Sequence, residues 1–294
     1  MDHDVIVVGG SFAGMAAALQ LLRARRRVLV IDAGQRRNRF AAHAHGFLTQ
    51  DGVAPDVILK QAGVQLAQYP TLDWVEGTAK TARQIADGFE IALDDGRAFS
   101  GKRVILALGV TDTLPNIPGL AERWGKHVFH CPYCHGYELD AGRIGVIAVG
   151  DISMHHGLML PDWGQTTFLT NKSFVPDAGQ RDSLGARGAA IEEGRIAEIT
   201  GAADVRMDDG RVLSFDGLFI ASRTAPASDL AQQLGCEMAQ GPAGPYIATN
   251  EMKETSVPFV FACGDAARPA GSIALAVGDA AMAAGGAHHS LMFR

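Results

Sequence analysis

Residues 5–32 contain the order of elements that most restricts the fold of this chain. A β-branched apolar run at 5–8 suits a buried parallel strand, and a glycine-rich turn follows it. A helical stretch covers 15–25, and a second apolar run at 28–31 ends in Asp32. Strand, glycine turn, helix, strand and acid, in this order, are typical of a βαβ unit that binds a dinucleotide. The sequence therefore predicts a parallel α/β sheet at the start of the chain.

The glycine turn has the chemistry that a pyrophosphate requires, which is close approach of backbone N–H groups at a helix N-terminus. Gly9 supplies the turn and Gly14 the helix–strand packing, while Ser11 stands where the usual middle glycine would be. Ala13 is included among the predicted contacts, and Asp32 is placed to accept hydrogen bonds from ribose hydroxyls. Because a plain tight turn would also explain the glycines, the prediction of a bound dinucleotide depends on the whole unit.

Much of this layout occurs twice. Segments 94–109 and 208–223 each read as a strand, a DDGR turn and a second strand that ends in small residues. The strand at 4–10 is echoed at 144–151, and a further apolar strand with a Gly-Asp tip follows at 258–267. We assign this last strand to the first unit. The sequence therefore predicts an α/β protein with two Rossmann-like, three-layer nucleotide-binding domains, the second inserted into the first.

The domain boundaries are placed at proline-containing stretches. Residues 115–118 and 242–245 are the predicted crossings between the domains. The first domain then consists of 1–113 plus 246–294, and the inserted domain of 114–245.

Composition narrows the class of protein. The 294 residues carry a net charge of −6, the wrong sign for a dedicated nucleic-acid binder, so we expect no nucleic-acid partner. The uncharged run at 5–22 is preceded by Asp2 and Asp4 and interrupted by glycines, which argues against both a signal peptide and a membrane span. We therefore expect no membrane association and a cytoplasmic location.

Residues 130–138, HCPYCHGYE, contain the second constraining motif. A CxxC pair binds zinc, closes a structural disulfide or passes electrons, and the last two require no further ligands. The four ligand-type residues between His130 and His135 are crowded into one short segment, and the sequence has no second CxxC to complete a zinc site. A structural disulfide is disfavoured in a reducing compartment. We therefore expect no metal and favour redox chemistry.

With these motifs in place, nearly the whole chain resembles the low-molecular-weight thioredoxin reductase family of FAD-dependent disulfide oxidoreductases. The resemblance is carried by VVGGSFAG at the pyrophosphate loop, VILALG at 104–109 where the domains part, CPYC, and FACGDAA. It implies FAD in the discontinuous domain. It also implies that Gly109 and Gly264 lie at the cofactor and that Asp265 contacts the ribityl chain.

A closer resemblance is to a subgroup in which His-Gly-Tyr-Glu directly follows the second cysteine, as it does here at 135–138. This subgroup includes oxidases that close disulfides in small natural products such as gliotoxin and holomycin. Carried over from the related reductases, Cys134 faces the flavin and Cys131 exchanges with the substrate. His135 is the candidate acid–base catalyst, because an ordinary histidine titrates near physiological pH, and His130 is a weaker candidate.

Two further histidines, His43 and His45, lie in a segment that by position could approach the flavin. Ordinary loop residues are the alternative interpretation, and the sequence does not decide between the two.

The second nucleotide-binding unit departs from the family pattern. Of the three glycines that normally end its strand only Gly150 is present, and Lys172 alone stands where the family has a basic cluster for the 2′-phosphate of NADPH. NADPH binding is therefore doubtful, and oxidation of a dithiol with oxygen as acceptor is the favoured direction. The alternatives are an NADPH-dependent thioredoxin reductase and a non-catalytic redox sensor.

The expected partners follow from this chemistry. They are a small-molecule or peptide dithiol or disulfide, with a thioredoxin-like protein as the alternative. A homodimer is expected from the resemblance alone.

Overall fold

The structure, a computed structural model, describes residues 3–294. The first strands are β1 (His3–Val8), β2 (Val28–Asp32), β3 (Leu72–Glu76), β4 (Ala79–Ile85), β5 (Gly88–Leu93), β6 (Ala98–Leu106), β7 (Val110–Thr113), β8 (Val128–Phe129), β9 (Ala141–Ile147) and β10 (Gly164–Leu169). The later strands are β11 (Ala190–Glu192), β12 (Ile196–Thr200), β13 (Asp204–Met207), β14 (Val212–Ser214), β15 (Gly217–Ile220), β16 (Arg223–Pro226), β17 (Met238–Gln240), β18 (Pro245–Ile247) and β19 (Val260–Ala262). The helices are α1 (Phe12–Arg23), α2 (Pro55–Leu66), α3 (Pro132–His135), α4 (Ser153–Met159), α5 (Ala178–Ala186), α6 (Leu230–Gln233) and α7 (Ile273–Phe293).

The first sheet confirms the predicted βαβ unit. Its order is β3-β2-β1-β6-β5-β4, and β19 pairs in parallel with the end of β6. Strand β1 lies between β2 and β6 and is parallel to both, which explains why its residues from Val5 onwards read as an unbroken apolar run. Helix α1 begins at Phe12 and ends at Arg23, earlier at both ends than the predicted 15–25.

Alternate residues of these strands face two different layers. Val5 and Val7 pack with the small and apolar side chains of α1 and α7 on one face. Ile6 and Val8 pack on the other face with β5 and with Leu230, the first residue of α6. The first domain therefore has three layers, because period-two alternation buries both faces of the sheet.

The second sheet has the parallel order β11-β10-β9-β15-β8. Helices α4 and α5 contribute to the apolar cluster on one face, and the antiparallel sheet β12-β13-β14 covers the other. This second three-layer unit lies in sequence between β6 and β19, both of which belong to the first sheet. The prediction of two Rossmann-like units, one inserted in the other, is confirmed.

The two predicted repeats differ at their last strand. In the first repeat β6 continues unbroken from Ala98 to Leu106. In the second repeat β14 ends at Ser214 and β15 begins at Gly217, in a different sheet. The break occurs at Asp216, whose N–H donates to the carbonyl of Arg143 while its carboxylate accepts from the Arg143 N–H at 2.7 Å.

Strands β7 and β16, which in sequence follow the strands β6 and β15 of the two large sheets, pair as an antiparallel ribbon. After β16, the residues Leu230, Cys236 and Ile247 are buried in the core of the first sheet. This packing favours a return crossing at β16, earlier than the predicted 242–245, while the boundaries themselves remain a prediction. Over residues 3–294, no helix combines the length and apolar character required to cross a membrane.

Candidate active site

A cavity of about 420 Å³ opens beyond the carboxyl ends of β1, β2 and β6. This is the edge at which parallel α/β sheets bind their ligands, and the volume is in the usual range for small-molecule sites. The predicted cofactor residues Gly9, Ser11, Ala13, Asp32, Gly109, Gly264 and Asp265 line it. His130, Cys134 and His135 line the same cavity. The folded chain therefore brings the cofactor motifs and the redox motif to a single cavity.

The glycine turn fits the backbone so tightly that larger residues are excluded. Gly9 has φ +106°, and a Cβ there would lie 2.2 Å from the carbonyl oxygen of Ala107. Gly14 is not among the residues that line the cavity. A Cβ on it would lie 1.7 Å from the carbonyl oxygen of Gly9, so only glycine allows helix α1 to pack this closely on the turn. Ser11 is the N-cap of α1, yet within residues 3–294 its side chain makes no capping hydrogen bond. The N–H groups of the first helical turn are therefore available to an anion.

Asp32, at the tip of β2, is oriented by the turn itself. Its Oδ1 accepts a hydrogen bond of 3.0 Å from the Gly10 N–H, which holds the carboxylate along the cavity wall. Gly10 cannot be larger, because a Cβ there would come within 2.7 Å of Asp32 Cβ and within 2.6 Å of the Trp74 ring. Asp32 lines the cavity, and its contact to ribose hydroxyls stays a prediction.

An ion-pair cluster that the sequence analysis missed lies beside Asp265. Arg37 donates from Nη1 to Asp265 Oδ2 at 3.1 Å and makes two hydrogen bonds to Asp112, while the Ser222 hydroxyl donates to Asp112 Oδ1 at 2.6 Å. Burial alone would raise the pKa of Asp112, but the hydrogen bond and charge of Arg37 outweigh it and hold that pKa below its usual range. Arg37 is one of several arginines in its segment, so no local pattern distinguishes it.

The two cysteines are joined in a disulfide, with their Cα atoms 5.3 Å apart. Cys131 is the N-cap of the short helix α3, and Cys134 lies within that helix. Only Cys134 of the pair lines the cavity, and the division between a flavin-facing and a substrate-facing sulfur stays a prediction.

His135 lies against the cavity in an apolar environment. Its ring stacks on Phe129 with centroids 4.2 Å apart, and both ring nitrogens are buried with no hydrogen-bond partner among the described residues. Burial first, and repulsion by His45 second, lower the pKa of His135 to about 4. The expectation of a near-physiological pKa is thus corrected: at neutral pH this imidazole is uncharged, and its lowered pKa makes it a weaker proton acceptor than an ordinary histidine.

The other histidines of the site differ in environment. Burial, followed by repulsion from Arg37, lowers the pKa of His130 to about 3. His43 and His45 both line the cavity. The Nδ1 of His43 lies 3.0 Å from the Gly52 carbonyl oxygen, and the Nδ1 of His45 lies 3.3 Å from a carboxylate oxygen of Glu138. The segment that follows β2 therefore reaches the redox motif, as its position in the sequence allowed.

At the corresponding turn of the second domain, polar groups are hydrogen-bonded to other residues of the same domain. The N–H of Val149 donates to Ser153 Oγ at 2.9 Å, and the Gln180 amide donates to Asp151 Oδ1 at 2.8 Å. A second cavity, of about 260 Å³, lies near the predicted 2′-phosphate position and is lined by Lys172 and Arg181. Arg181 is already paired with Glu193 at 2.7 Å. This turn is therefore less suited to a pyrophosphate than the turn at Gly9.

The comparisons with known proteins agree with this architecture. The sequence model of the pyridine nucleotide-disulphide oxidoreductase family matches residues 3–285. Thioredoxin reductase sirT of Leptosphaeria maculans is 32% identical and aligns with 96% of this chain and 92% of its own. The crystal structure of an oxidoreductase from Agrobacterium tumefaciens superposes with a TM-score of 0.97 at 55% identity, covering 100% of this chain and 99% of the other. The crystal structure of HlmI superposes with a TM-score of 0.92 at 33% identity, covering 99% and 92%.

This family implies a bound flavin, FAD, and the residues present fit one. The uncapped N-terminus of α1 suits the pyrophosphate, the Asp32 carboxylate suits a ribose, and the Asp265 carboxylate, which lines the same cavity, suits a sugar-alcohol chain. The match spans nearly the whole chain and includes both Rossmann-like units. The chain therefore belongs to the pyridine nucleotide-disulphide oxidoreductase family, as a thioredoxin reductase-like enzyme.

Proposed function

We propose that the protein is an FAD-dependent thiol–disulfide oxidoreductase that oxidises a dithiol substrate and uses oxygen as the final acceptor. One observation carries the proposal: Cys134, half of a closed disulfide, lines the same cavity as the glycine turn and Asp265. A disulfide at a cofactor cavity is placed to relay electrons rather than to staple a loop.

The thiol chemistry balances as follows. A substrate thiolate attacks the Cys131 sulfur, the Cys131–Cys134 bond breaks, and a mixed disulfide forms. The second substrate thiol, after losing its proton, attacks the substrate sulfur of this mixed disulfide and releases Cys131. The substrate leaves as a disulfide, and the cysteine pair holds the two electrons. FAD held in the cavity would supply the two-electron oxidant that returns the cysteine pair to its disulfide, with oxygen as the final acceptor, reduced with two protons to hydrogen peroxide.

The chain's own residues serve this sequence of steps in distinct ways. Cys131 does not line the cofactor cavity and is assigned to the substrate, whereas Cys134 is assigned to the flavin side. His135 is uncharged at neutral pH because its pKa is lowered to about 4, which makes it only a weak proton acceptor beside the pair, and its assignment as acid–base catalyst stays a prediction. Its stacking on Phe129 fixes the ring orientation.

The second domain supports this direction of electron flow. The N–H of Val149 is bonded to Ser153, and the Asp151 carboxylate adds negative charge where a pyrophosphate would approach. Helix α4 is also only seven residues long. Together these features favour a dithiol, rather than NADPH, as the electron donor.

A second candidate is an NADPH-dependent thioredoxin reductase that uses the same cysteines in the opposite direction. It is favoured by the name of the related protein from Leptosphaeria maculans, thioredoxin reductase sirT. In that case a thioredoxin-like protein would be the partner at Cys131. For either function, the cytoplasmic location and the homodimer remain predictions.

The two functions are separated by an anaerobic experiment on the purified flavoprotein. Dithiothreitol and NADPH are mixed with it separately, and the flavin absorbance is followed. We expect dithiothreitol to bleach the flavin and air to restore the colour with formation of hydrogen peroxide. Cys134→Ser should abolish the bleaching, whereas Cys236→Ser, at a buried cysteine near β17, should not. Rapid bleaching by NADPH, with none by dithiothreitol, would instead establish the reductase.

A further inference from the structure

A buried histidine of the second domain contacts the backbone of the redox motif. His156, in α4, is only 5% exposed, and its Nε2 lies 2.9 Å from the carbonyl oxygen of His130. A carbonyl oxygen can only accept, so Nε2 carries the hydrogen and donates it. The other ring nitrogen of His156 is buried without a partner in the part of the chain that the structure describes.

The bonded carbonyl lies where the chain leaves the second sheet. Strand β8 pairs with β15 through two residues, Val128 with Leu218 and Phe129 with Phe219. His130 follows directly, and Cys131 then takes an extended conformation, φ −117° and ψ 110°, as the N-cap of α3. His156 therefore satisfies the carbonyl at which the chain turns from the sheet into the disulfide, since a buried carbonyl requires a donor.

The same imidazole also supports the far side of the motif through aromatic contacts. The centroids of the His156 and Phe219 rings are 6.1 Å apart, and those of Phe219 and Phe129 are 5.6 Å apart. Phe129 in turn stacks on His135, which directly follows Cys134. His156 thus connects helix α4 to both flanks of the cysteine pair, by a hydrogen bond on one side and by ring packing on the other.

We propose that His156 is a positioning residue of the redox pair: its Nε2–H holds the His130 carbonyl, and this bond fixes the backbone that presents Cys131. It touches neither sulfur and transfers no proton. On this proposal the second nucleotide-binding unit, which has one of the three usual glycines, has a structural role, because helix α4 after its turn holds the disulfide in place. The activity part of this inference rests on the proposed function, whereas the thiol–disulfide equilibrium does not.

The expected size of the effect follows from the geometry. Thiol–disulfide exchange is sensitive to how the two sulfurs are held, because a disulfide has specific geometry. A displacement of about 1 Å at a reacting group costs on the order of 100-fold in rate. We expect the loss of one backbone hydrogen bond to displace Cys131 by less. We therefore expect about a tenfold effect on both the equilibrium and the rate.

The test uses the complete flavoprotein and three substitutions of His156. His156→Leu removes the donor, and His156→Gln keeps an N–H donor of similar reach. His156→Asn keeps polarity, but its amide is one bond shorter. The control is His3→Leu, because His3 is also a buried histidine with one bonded nitrogen, here to Asp73 at 2.8 Å, and one without a partner among residues 3–294.

Two quantities are measured for each variant. The first is the equilibrium constant of the Cys131–Cys134 disulfide against mixtures of reduced and oxidised glutathione. The second is the anaerobic rate of flavin reduction by dithiothreitol. We expect His156→Leu and His156→Asn to change both by about tenfold and His156→Gln to restore both to within about threefold. His3→Leu should lower the unfolding temperature and leave both quantities unchanged.

Several results would overturn the inference. One is a glutathione equilibrium constant that does not differ between His156→Leu and the parent protein. If the leucine variant does not fold, the same comparison is made with His156→Asn. Another is a glutamine variant as impaired as the asparagine variant, because a hydrogen-bond donor would then not suffice. If dithiothreitol does not reduce the flavin of the parent protein, the proposed function fails, while the glutathione measurement still decides the place of His156.

Discussion

Arg37 donates two hydrogen bonds to the carboxylate of Asp112, from Nε to Oδ2 at 2.8 Å and from Nη2 to Oδ1 at 2.7 Å. Asp112 belongs to β7, one strand of the ribbon between the domains, and Ser222, bonded to the same carboxylate, directly precedes the other strand. Arg37 also reaches Asp265 in the cofactor cavity. The pair therefore links the interdomain ribbon to the wall of the flavin site, and both partners are largely buried.

Asp112→Asn is expected to reduce the free energy of unfolding by about 2 kcal/mol, because a hydrogen bond to a charged group contributes on that order. The loss is limited by Asp265, which continues to pair with Arg37. Urea unfolding at pH 7 measures the change. The control is Glu198→Gln, which weakens a largely exposed pair with Arg206 and should cost less than about 1 kcal/mol. Equal losses in the two variants would contradict the prediction.

Acid should weaken the same pair, with a defined sign. The folded-state pKa of Asp112 lies below the ordinary value of 3.8, since Arg37 outweighs the effect of burial. A depressed carboxyl pKa stabilises the fold above the unfolded value, and this stabilisation is lost as the pH falls through the folded-state pKa. Asp112→Asn should therefore show a smaller loss of stability below pH 3.8 than the parent protein.

Alkylation of the reduced protein should separate the four cysteines into two classes. Burial raises the pKa of Cys263 to about 12 and also raises the pKa of Cys236, so neither thiol forms much thiolate at neutral pH. Iodoacetamide should therefore label Cys131 and Cys134 in the folded protein and the other two only after unfolding in urea.

With FAD bound, Cys131 should react before Cys134, because only Cys134 lines the cofactor cavity. Mass spectrometry of peptides after short reaction times gives the order. Equal labelling of Cys263 and Cys131 in the folded state would contradict the assignment of the buried class.

The first βαβ unit could be predicted because its signals are local. Buried parallel strands read as apolar runs, and the glycines stand where a Cβ would strike the backbone, as at Gly9. The ion-pair cluster at Arg37 could not be predicted in this way, because Arg37 is separated along the chain by 75 positions from Asp112 and by 228 positions from Asp265. The bond from His156 to the carbonyl before Cys131 spans 26 positions and depends on where β8 ends. Periodicity predicts elements, whereas such contacts depend on tertiary packing.

Ser11→Asp should weaken FAD binding without weakening the fold. Aspartate is a good N-cap residue, so the stability of the flavin-free protein should not fall. Its charge would repel the pyrophosphate at the N-terminus of α1, and we expect at least about a tenfold rise in the FAD dissociation constant. Flavin fluorescence during titration of the flavin-free protein gives the constant.

The matched control at this position is Ser11→Ala. The Ser11 side chain makes no capping bond within the described residues, so its loss should change the dissociation constant by less than about threefold. FAD affinity in Ser11→Asp as high as in Ser11→Ala would argue against a pyrophosphate at this helix end.

The buried histidines should make the fold sensitive to mild acid. Burial lowers the pKa of His156 to about 4, against an ordinary value of 6.5 in the unfolded chain. Between these values the unfolded state binds a proton that the folded state does not, so stability falls as the pH falls from 6.5 towards 4. His156→Gln keeps a donor but cannot titrate. Between pH 7 and pH 5 this variant should lose about 2 kcal/mol less unfolding free energy than the parent protein, as measured in urea. Parallel pH dependences in the two proteins would mean that His156 has the same pKa in the folded and unfolded states, which would contradict the lowering expected from its burial.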